Sequence, residues 1–523
     1  MALRTFRDLA AAAVCLLQCI LVTAQSNSTA PSAQNATAFA LLYGYPLLSF
    51  QQLAPAAIAQ AGGTNRLFHS RDLQTPEDRR VVKPNVDTLY STMIFDLSQN
   101  DVNITIPSIP EEQYHLFSYY DPYGDNFANT GSGNLDAAGS YLLRRTPESA
   151  TYGIVANNAT GAGGGSSTYQ GYVNSPTDYG ILLIRWAVYN LSNHESIHVY
   201  QDRVQVSAAD RASEGQATPL AQIEQRNFTG SVPERILNLL SAFSSANPPE
   251  LASEEEPVNA DLTEAGILNG TYAPSSGVDL ETANAAALRT VRSSVNSSTL
   301  TNLGNGWSMI SPNSTGDFGT NYGLRAAVAA SGYLMLKAPN ALYPSWNNAT
   351  DGAPVGGTQY SLGAQESFLY TFSGKPDLQY IGFWSLTAYA DNYLIPNDLN
   401  VYALGDRSNL SYPDGSSVYG SDNDGPFQIL VQPADITPPA NWTNNWLPAP
   451  AGGGNVSLLL RWYAAEEGLT NGSYVYPVVT RQSAISNGST PSPEQYTGGA
   501  VAMRALPSAW LLLALTIGFA SAL

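Results

Sequence analysis

The chain has 523 residues, of which 42 are acidic and 23 are basic, and its formal net charge is −19. Nucleic acid is excluded as an expected partner because phosphate binding needs concentrated Lys and Arg. Both cysteines, Cys15 and Cys19, stand near the N-terminus, so the rest of the chain can form no disulfide, iron–sulfur cluster or zinc–thiolate site. A chain of this length can bury its own core without such links.

The N-terminus has the residue order of a signal peptide. Arg4 and Arg7 precede an apolar run over 9–22, and small residues stand before Gln25. The alternative is a membrane-spanning helix, but the run is shorter than the roughly 20 residues that a span needs. We therefore predict a signal peptide over 1–24.

The C-terminus has the residue order of a glycolipid-anchor signal. Three small residues at 498–500 precede a short spacer and an apolar tail that ends at Leu523. This pattern predicts that 499–523 is removed and that a glycosylphosphatidylinositol lipid on Gly498 holds the protein at the outer face of the plasma membrane or in the cell wall. A tail-anchored span, or attachment at a nearby residue such as Thr497 or Asn487, is the alternative.

Asn-X-Ser/Thr sequons are spread along the chain and predict an N-glycosylated surface. Such a spread leaves little room for a large buried protein–protein interface. The fifteen asparagines are Asn27, Asn35, Asn103, Asn158, Asn190, Asn227, Asn269, Asn296, Asn313, Asn348, Asn409, Asn441, Asn455, Asn471 and Asn487.

The apolar pattern of the first part of the chain predicts a β-rich domain over 38–208. A helix over 38–48 comes first. β-branched or aromatic runs bounded by Pro, Gly and Asn then predict strands over 102–109, 115–120 and 181–189.

The next part, 209–337, has a helical pattern. Residues 231–234 have the form of a capping box and are followed by apolar residues at helical spacing. Further helices are predicted over 280–295 and 324–336, and the acidic, proline-containing stretch 250–259 is predicted to be a loop.

Strands return over 338–481, most clearly at 380–389, 427–431 and 456–463. A Ser/Asn/Gly/Pro-rich stalk over 482–498 should be disordered. The predicted architecture is therefore two β-rich regions with a helical segment between them.

Several motifs resemble a pair of known families, the domains of unknown function 1254 and 1214, which usually occur in that order in one polypeptide. The first is carried by 40–46 (ALLYGYP), 85–91 (NVDTLYS) and 119–127 (YYDPYGDNF). The second is carried by Asn305–Trp307, Leu324–Ala326, Tyr343, Phe383–Thr387, Asn397, Tyr402, Trp446–Pro450 and Leu460–Tyr463. The resemblance implies an α+β, β-dominated fold with two jelly-roll-like β-rich regions and a helical insert. It implies no particular reaction.

Two segments of the first β-rich region carry candidate chemistry. Asp87 could project into a cavity as a general acid or base, with Tyr90 as a hydrogen-bond donor; alternatively, Asp87 caps a turn and Tyr90 packs in the core. The second segment has the composition of a site for sugar or aryl rings, or of a turn with tyrosines on the sheet. It contains the second candidate catalytic carboxylate, Asp121, and the ligand-binding candidates Tyr119, Tyr123 and Asn126.

In the second β-rich region, Trp384 and Asn392 are candidate ligand-binding residues of the same kind. Arg461 is a further candidate, and it stands in the apolar run Leu-Leu-Leu-Arg-Trp-Tyr. It must either face solvent or pair with a buried carboxylate such as Asp87 or Asp121. Arg185, in Ile-Leu-Leu-Ile-Arg-Trp, raises the same question.

No metal site and no cofactor are predicted. His194 and His198 flank Glu195 at the spacing of a zinc-protease motif, but that motif binds zinc only on a helix and the residues that follow look extended. The glycines at 131–133 and 161–165 lack the strand–turn–helix context of a serine-hydrolase elbow. No βαβ unit frames them as a nucleotide site.

These features favour a secreted enzyme-like protein that acts on a carbohydrate or another small polar or aromatic ligand in a cleft between the β-regions. The alternative is a non-catalytic surface glycoprotein that binds wall glycan or contributes structure. A cavity that holds Asp87, Asp121 and Trp384 together would favour the enzyme. A filled core with these residues apart would favour the alternative.

Overall fold

The structure is a computed structural model that describes residues 32–79, 83–146, 151–157, 168–211, 217–346 and 359–486. The predicted signal peptide, the attachment residue Gly498 and the sequons at Asn27, Asn158, Asn348 and Asn487 lie outside these ranges. Within them, none of the helices has the length and apolarity that a membrane crossing requires.

The described ranges contain nine α-helices, most of which pack together in one layer, the helical layer. They are α1 (Ala33–Gly44), α2 (Pro46–Ala61), α3 (Leu191–Arg203), α4 (Leu220–Glu224), α5 (Val232–Phe243), α6 (Ala252–Glu264), α7 (Leu280–Ser294), α8 (Tyr322–Gly332) and the short α9 (Gly468–Asn471). The capping box predicted at the start of α5 is confirmed, since Ser231 and Glu234 bond reciprocally.

Two five-stranded sheets form the first β-sandwich. Their strands are β1 (Phe68–His69), β2 (Thr88–Asp96), β3 (Asp101–Ile106), β4 (His115–Tyr120), β5 (Asn126–Gly131), β6 (Gly139–Arg145), β7 (Gly153–Ala156), β8 (Gly171–Ser175), β9 (Tyr179–Ala187) and β10 (Gln205–Ala209). The first inner sheet has the order β1-β2-β9-β4-β5 and the first outer sheet has the order β10-β3-β6-β8-β7. Only β6 and β8 pair in parallel among these neighbours.

The remaining strands form the second β-sandwich and two small sheets. They are β11 (Ile267–Leu268), β12 (Thr271–Tyr272), β13 (Leu300–Gly304), β14 (Trp307–Ile310), β15 (Ala341–Leu342), β16 (Ser345–Trp346), β17 (Gln359–Leu362), β18 (Glu366–Phe372), β19 (Leu378–Ala390), β20 (Tyr393–Leu394), β21 (Ala403–Gly405), β22 (Phe427–Pro433), β23 (Trp446–Ala449), β24 (Gly454–Ala465) and β25 (Val478–Ser483). The second inner sheet has the order β15-β24-β19-β20, with β17 on β24 and β21 on β19, and the second outer sheet has the order β23-β22-β18-β25. The predicted α+β, β-dominated fold is confirmed.

Alternation along the strands decides which side chains fill each sandwich. On β9, Leu182, Ile184 and Trp186 enter the core of the first sandwich, and on β24, Leu460 and Trp462 enter the core of the second. Successive side chains of a strand point to opposite faces, so the residues between these point away from the cores. The helical layer and the second sandwich cover that outward face of the first inner sheet.

Three predictions about secondary structure were wrong. The stretch 250–259 is mostly helical, because α6 continues through Pro257 and buries Val258 and Leu262 at helical spacing. The helix predicted over 38–48 is two longer helices separated at Tyr45. The residues that follow His198 continue as α3 to Arg203 and become extended only at β10.

Candidate functional site

Two arginines point into the space between the inner sheets. Arg185 lies between Ile184 and Trp186 on β9, and Arg461 lies between Leu460 and Trp462 on β24. Since their apolar neighbours fill the two cores, the pleat directs both guanidinium groups towards the other sandwich. Both residues are only 5% exposed.

The loop before β2 joins the first sandwich to the second inner sheet. Arg461 Nη2 donates a hydrogen bond to the Lys83 carbonyl at 2.9 Å, and Tyr389 Oη donates to the Pro84 carbonyl at 2.8 Å. Asn85 Nδ2 donates to Tyr463 Oη at 2.7 Å. This loop therefore forms one wall of the space between the sheets.

Asp87 lies in the same seam, with both carboxylate oxygens bonded. Ser385 Oγ donates to Oδ2 at 2.5 Å, and Arg407 Nη2 pairs with Oδ1 at 2.5 Å. The Arg407 guanidinium also lies 4.5 Å from the ring centre of Phe383 and 3.6 Å from Asp406 Oδ1. The alternative in which Arg461 pairs with Asp87 is therefore wrong: the partner of Asp87 is Arg407, which sequence reasoning missed.

Arg185 and Arg461 donate their side-chain hydrogen bonds to neutral groups. Arg185 Nη1 donates to Ser118 Oγ at 3.2 Å and to Tyr120 Oη at 3.4 Å. Arg461 Nη1 donates to Tyr389 Oη at 2.9 Å and to Thr387 Oγ1 at 3.3 Å. Arg461 thus neither faces solvent nor forms an ion pair within the described ranges.

Tyrosines surround both guanidinium groups. We call Tyr90, Tyr114, Arg185, Tyr343, Arg461 and Tyr463 the seam cluster. Burial lowers the pKa of the Arg185 guanidinium, but charge interactions with Tyr120, Tyr90, Tyr343 and Tyr463 outweigh burial, so the net pKa is raised. Burial raises the pKa of Tyr343 to about 12 although both arginines oppose this shift. At neutral pH the seam cluster therefore combines two cations with neutral phenols.

Three hydroxyls of the seam cluster lack a protein partner within the described ranges. Tyr114 is 1% exposed and its Oη is buried without a hydrogen bond. Its ring centre lies 5.0 Å from that of Phe383 and 6.2 Å from that of Tyr463. Tyr90 and Tyr343 are half-buried, and their hydroxyls form no hydrogen bond with another described residue. These hydroxyls can donate to a guest molecule.

A second buried arginine site, the Arg325 cluster, contains the predicted residues Asp121 and Tyr123. Arg325 Nη1 donates to Asp125 Oδ2 at 3.2 Å, and its guanidinium lies 4.7, 4.6 and 4.8 Å from the ring centres of Tyr43, Tyr123 and Tyr322. Asp121 Oδ1 accepts from the Asp125 amide at 2.9 Å. Burial raises the pKa of both carboxyls. This cluster ties β4 and β5 to α1 and α8.

The other predicted ligand-binding residues lie apart from the seam cluster. Tyr119 is in the core of the first sandwich, and Trp384 is in the core of the second, where its Nε1 donates to Tyr419 Oη at 2.6 Å. Asn126 Nδ2 donates to the Tyr119 carbonyl at 3.0 Å. Asn392 has φ 68 in the two-residue turn between β19 and β20, and its carbonyl accepts from the Lys83 amide at 2.8 Å.

The zinc-protease spacing lies on α3. The rings of His194 and His198 are 4.6 Å apart, and His198 Nε2 bonds the Arg71 carbonyl at 2.8 Å. In the part of the chain that the structure describes, no group of three or more His, Cys, Asp or Glu side chains could hold a metal ion.

Most of the described sequon asparagines are exposed. Asn103 and Asn296 are half-buried. The exposed ones are Asn35, Asn190, Asn227, Asn269, Asn313, Asn409, Asn441, Asn455 and Asn471.

The domain pair is confirmed by comparison with protein families. Residues 64–208 match the family described as "Protein of unknown function (DUF1254)", and residues 341–467 match "Protein of unknown function (DUF1214)". The chain therefore belongs to the proteins that carry a DUF1254 domain followed by a DUF1214 domain. No protein with a curated description matches it by sequence.

The chain is similar to several solved structures, two of which are described here. One is the VPA0106 protein from Vibrio parahaemolyticus, with a TM-score of 0.55 and 16% identity over 86% of this chain and 99% of that chain. The other is a putative uncharacterized protein from Burkholderia cenocepacia, with a TM-score of 0.39 and 12% identity over 84% of this chain and 87% of that chain. The first likeness shows that the fold is shared.

Proposed function

We propose that the chain is a secreted, N-glycosylated surface protein that binds a small polar or aromatic ligand, such as a carbohydrate, between its two sandwiches. The observation that carries this proposal is the seam cluster. It combines aromatic rings with hydroxyl donors that lack a protein partner. A binding site needs aromatic rings to stack on a ring of the ligand, and it needs hydrogen-bond donors to fix the orientation of the ligand.

The buried hydroxyl of Tyr114 is the most informative member of the cluster. A buried donor without a partner costs free energy of folding, on the order of 1–3 kcal/mol. A guest that accepts its hydrogen bond would recover this cost. Tyr90 and Tyr343 present their hydroxyls without any competing protein acceptor among the described residues, so the same guest can engage all three.

Binding is better supported than acid–base catalysis. A general base must have a free oxygen within reach of the proton that it abstracts, whereas both oxygens of Asp87 are bonded to Ser385 and Arg407. The side chains of Asp121 and Trp384 lie in the Arg325 cluster and in the core of the second sandwich. This separation favours the non-catalytic alternative.

The surface location is supported by sequence features and by the exposure of nine described sequon asparagines. If a glycolipid on Gly498 anchors the protein, phosphatidylinositol-specific phospholipase C will release it from membranes. Retention of the protein in the membrane after this treatment would contradict the anchor.

A pair of tyrosine variants tests the binding site. Calorimetric titration with glucose, glucuronate, benzyl alcohol and benzoate should show binding of at least one probe to the unmodified protein. Tyr90→Ala removes an aromatic wall of the site and should weaken that binding about tenfold or more, the equivalent of roughly 1.4 kcal/mol. Tyr172→Ala, a change on β8 of the outer sheet, is the control and should leave it unchanged. The proposal fails if no probe binds, or if both variants bind as the unmodified protein does.

A further inference from the structure

Three other arginines of low exposure in the described ranges each face a carboxylate. Arg325 pairs with Asp125 at 3.2 Å, and Arg211 pairs with Asp178 at 2.9 Å. Arg407 pairs with Asp87. Arg185 and Arg461 are as deeply buried, yet no carboxylate oxygen of a described residue lies within ion-pair distance of either one.

The guanidinium groups of Arg185 and Arg461, which have no carboxylate partner, influence the same two tyrosines. Each of them lowers the pKa of Tyr343 and of Tyr463, against the larger opposing effect of burial. Arg461 also lowers the pKa of Lys83, which adds to the effect of burial on that ammonium group. The nearby carboxylate of Asp87 is already held by Arg407.

Two like charges in a buried space are costly unless a counter-ion compensates them. Moving a charged group out of water carries a penalty of several kcal/mol per ion, even after the protein relaxes. Hydroxyl groups solvate the charges of Arg185 and Arg461 but do not neutralise them. The fold therefore keeps an excess of positive charge beside hydroxyl donors that have no acceptor.

We infer that the ligand of the seam cluster carries an oxyanion group, a carboxylate, sulfate or phosphate, which is bound jointly by Arg185 and Arg461. This inference rests on the proposed function and specifies the class of ligand. A guanidinium is planar and presents paired N–H donors that match two oxygens of such a group. The hydroxyls of Tyr90, Tyr114 and Tyr343 supply further donors.

The side chain of Arg185 has N–H donors that no described residue engages. Its Nη1 bonds Ser118 and Tyr120, while its Nε and Nη2 form no hydrogen bond with another described residue. Arg461 uses Nη1 and Nη2 to bond the second inner sheet and the loop before β2. Arg185 is therefore the residue that we expect to bind the oxyanion most directly, with Arg461 as the second positive charge.

Matched anionic and neutral probes test the inference. Benzoate, phenyl sulfate and phenyl phosphate share a ring with neutral benzyl alcohol, and glucuronate is matched with glucose. We expect at least one anion to bind about tenfold or more tightly than its neutral counterpart. The order among benzoate, phenyl sulfate and phenyl phosphate identifies the preferred oxyanion.

Arginine variants identify the binding groups. Arg185→Gln should lose the preference for the anion and keep weak binding of the neutral probe. Arg185→Lys should restore part of it, because the charge returns without the planar fork. Arg144→Gln is the control: Arg144 lies 4.2 Å from the ring centre of Tyr172 and bonds Asn174 on the outer sheet. Thermal unfolding of each variant verifies that it folds.

The outcomes separate the inference from the proposed function. If neutral probes bind as tightly as anions and Tyr90→Ala weakens both, the site stands and the oxyanion inference is overturned. If no probe binds, both are overturned. An anion whose affinity falls equally in Arg144→Gln and Arg185→Gln binds elsewhere, which also overturns the inference.

Discussion

The Arg325 cluster and the seam cluster both bury arginine among tyrosines, but only in the first does the arginine pair with a carboxylate of a described residue. Arg325 has a carboxylate, a backbone carbonyl and three tyrosine rings within 5 Å of its guanidinium. The guanidinium of Arg185 has two hydroxyls as hydrogen-bond partners and a tyrosine ring centre 6.0 Å away. The first arrangement neutralises the charge of the cation although Arg325 Nε is left without a hydrogen-bond partner, whereas the second leaves both donors and positive charge available to a guest.

This difference shows that burial of an arginine does not by itself define its role. A buried ion pair with all its partners connects elements of the fold, and the Arg325 cluster joins the first sandwich to the helical layer. A buried cation without a carboxylate lowers the stability of the empty protein. Such a cost is expected where a ligand supplies the missing partner.

The largest expected effect is a difference in protein stability between an arginine variant of the Arg325 cluster and one of the seam cluster. Arg325→Met leaves Asp125 buried without its partner and should lower the free energy of unfolding by about 3–5 kcal/mol. Arg185→Met removes an unpaired buried cation, which offsets the loss of its hydrogen bonds to Ser118 and Tyr120. The ligand-free variant should therefore stay within about 1 kcal/mol of the unmodified protein.

Urea unfolding of both variants, in buffer without small carboxylates or phosphate, measures this difference. Arg144→Met, an arginine that stacks on Tyr172 of the outer sheet, is the control for loss of a half-buried guanidinium. Equal destabilisation by Arg325→Met and Arg185→Met would contradict the comparison, because it would mean that the fold compensates both arginines equally well.

Local sequence patterns predicted much of the fold. The aromatic run at 115–120 is β4 (His115–Tyr120), and the helical pattern at 280–295 is α7 (Leu280–Ser294). The acidic stretch 250–259 contains Pro257, which disfavours a helix interior and predicts a loop. Tertiary packing outweighed this preference, since Val258 and Leu262 are buried against the helical layer.

The candidate site depends on contacts that no local pattern contains. The similar runs Ile-Arg-Trp and Leu-Arg-Trp leave open whether Arg185 and Arg461 face solvent or pair with a buried carboxylate. Which carboxylate, if any, would meet them depends on how two distant sheets pack. Arg407 reaches Asp87 from 320 residues away, and the sequence offers no signal for that pairing.

A smaller effect concerns pH and the acidic side of the Arg325 cluster. Burial, together with Asp317 and Asp125, raises the pKa of Glu250 to about 7, against the opposing charges of Lys337 and Arg325. Between pH 4.5 and pH 7 the unfolded chain releases this proton while the folded protein retains it. Stability should therefore fall as pH rises through this window, by up to about 3 kcal/mol.

Glu250→Gln should reduce this dependence, because glutamine does not titrate. The raised pKa values of Asp121 and Asp125 act in the same direction, so a residual slope should remain in the variant. Thermal unfolding at several pH values from 4.5 to 7 measures how stability depends on pH in the unmodified protein and in the variant. An unchanged slope in Glu250→Gln would show that Glu250 does not hold its proton in the folded protein.

The smallest expected effect compares one hydroxyl from each cluster. Tyr123 Oη donates a hydrogen bond to the Asn247 carbonyl at 3.0 Å, so Tyr123→Phe should lower the free energy of unfolding by about 1 kcal/mol. Tyr114 Oη is buried without a partner, so Tyr114→Phe should leave the stability of the ligand-free protein unchanged or raise it slightly. The same variant should weaken binding of the preferred probe, whereas Tyr123→Phe should not. If Tyr114→Phe destabilises the empty protein as much as Tyr123→Phe does, its hydroxyl already has a partner and is not available to a ligand.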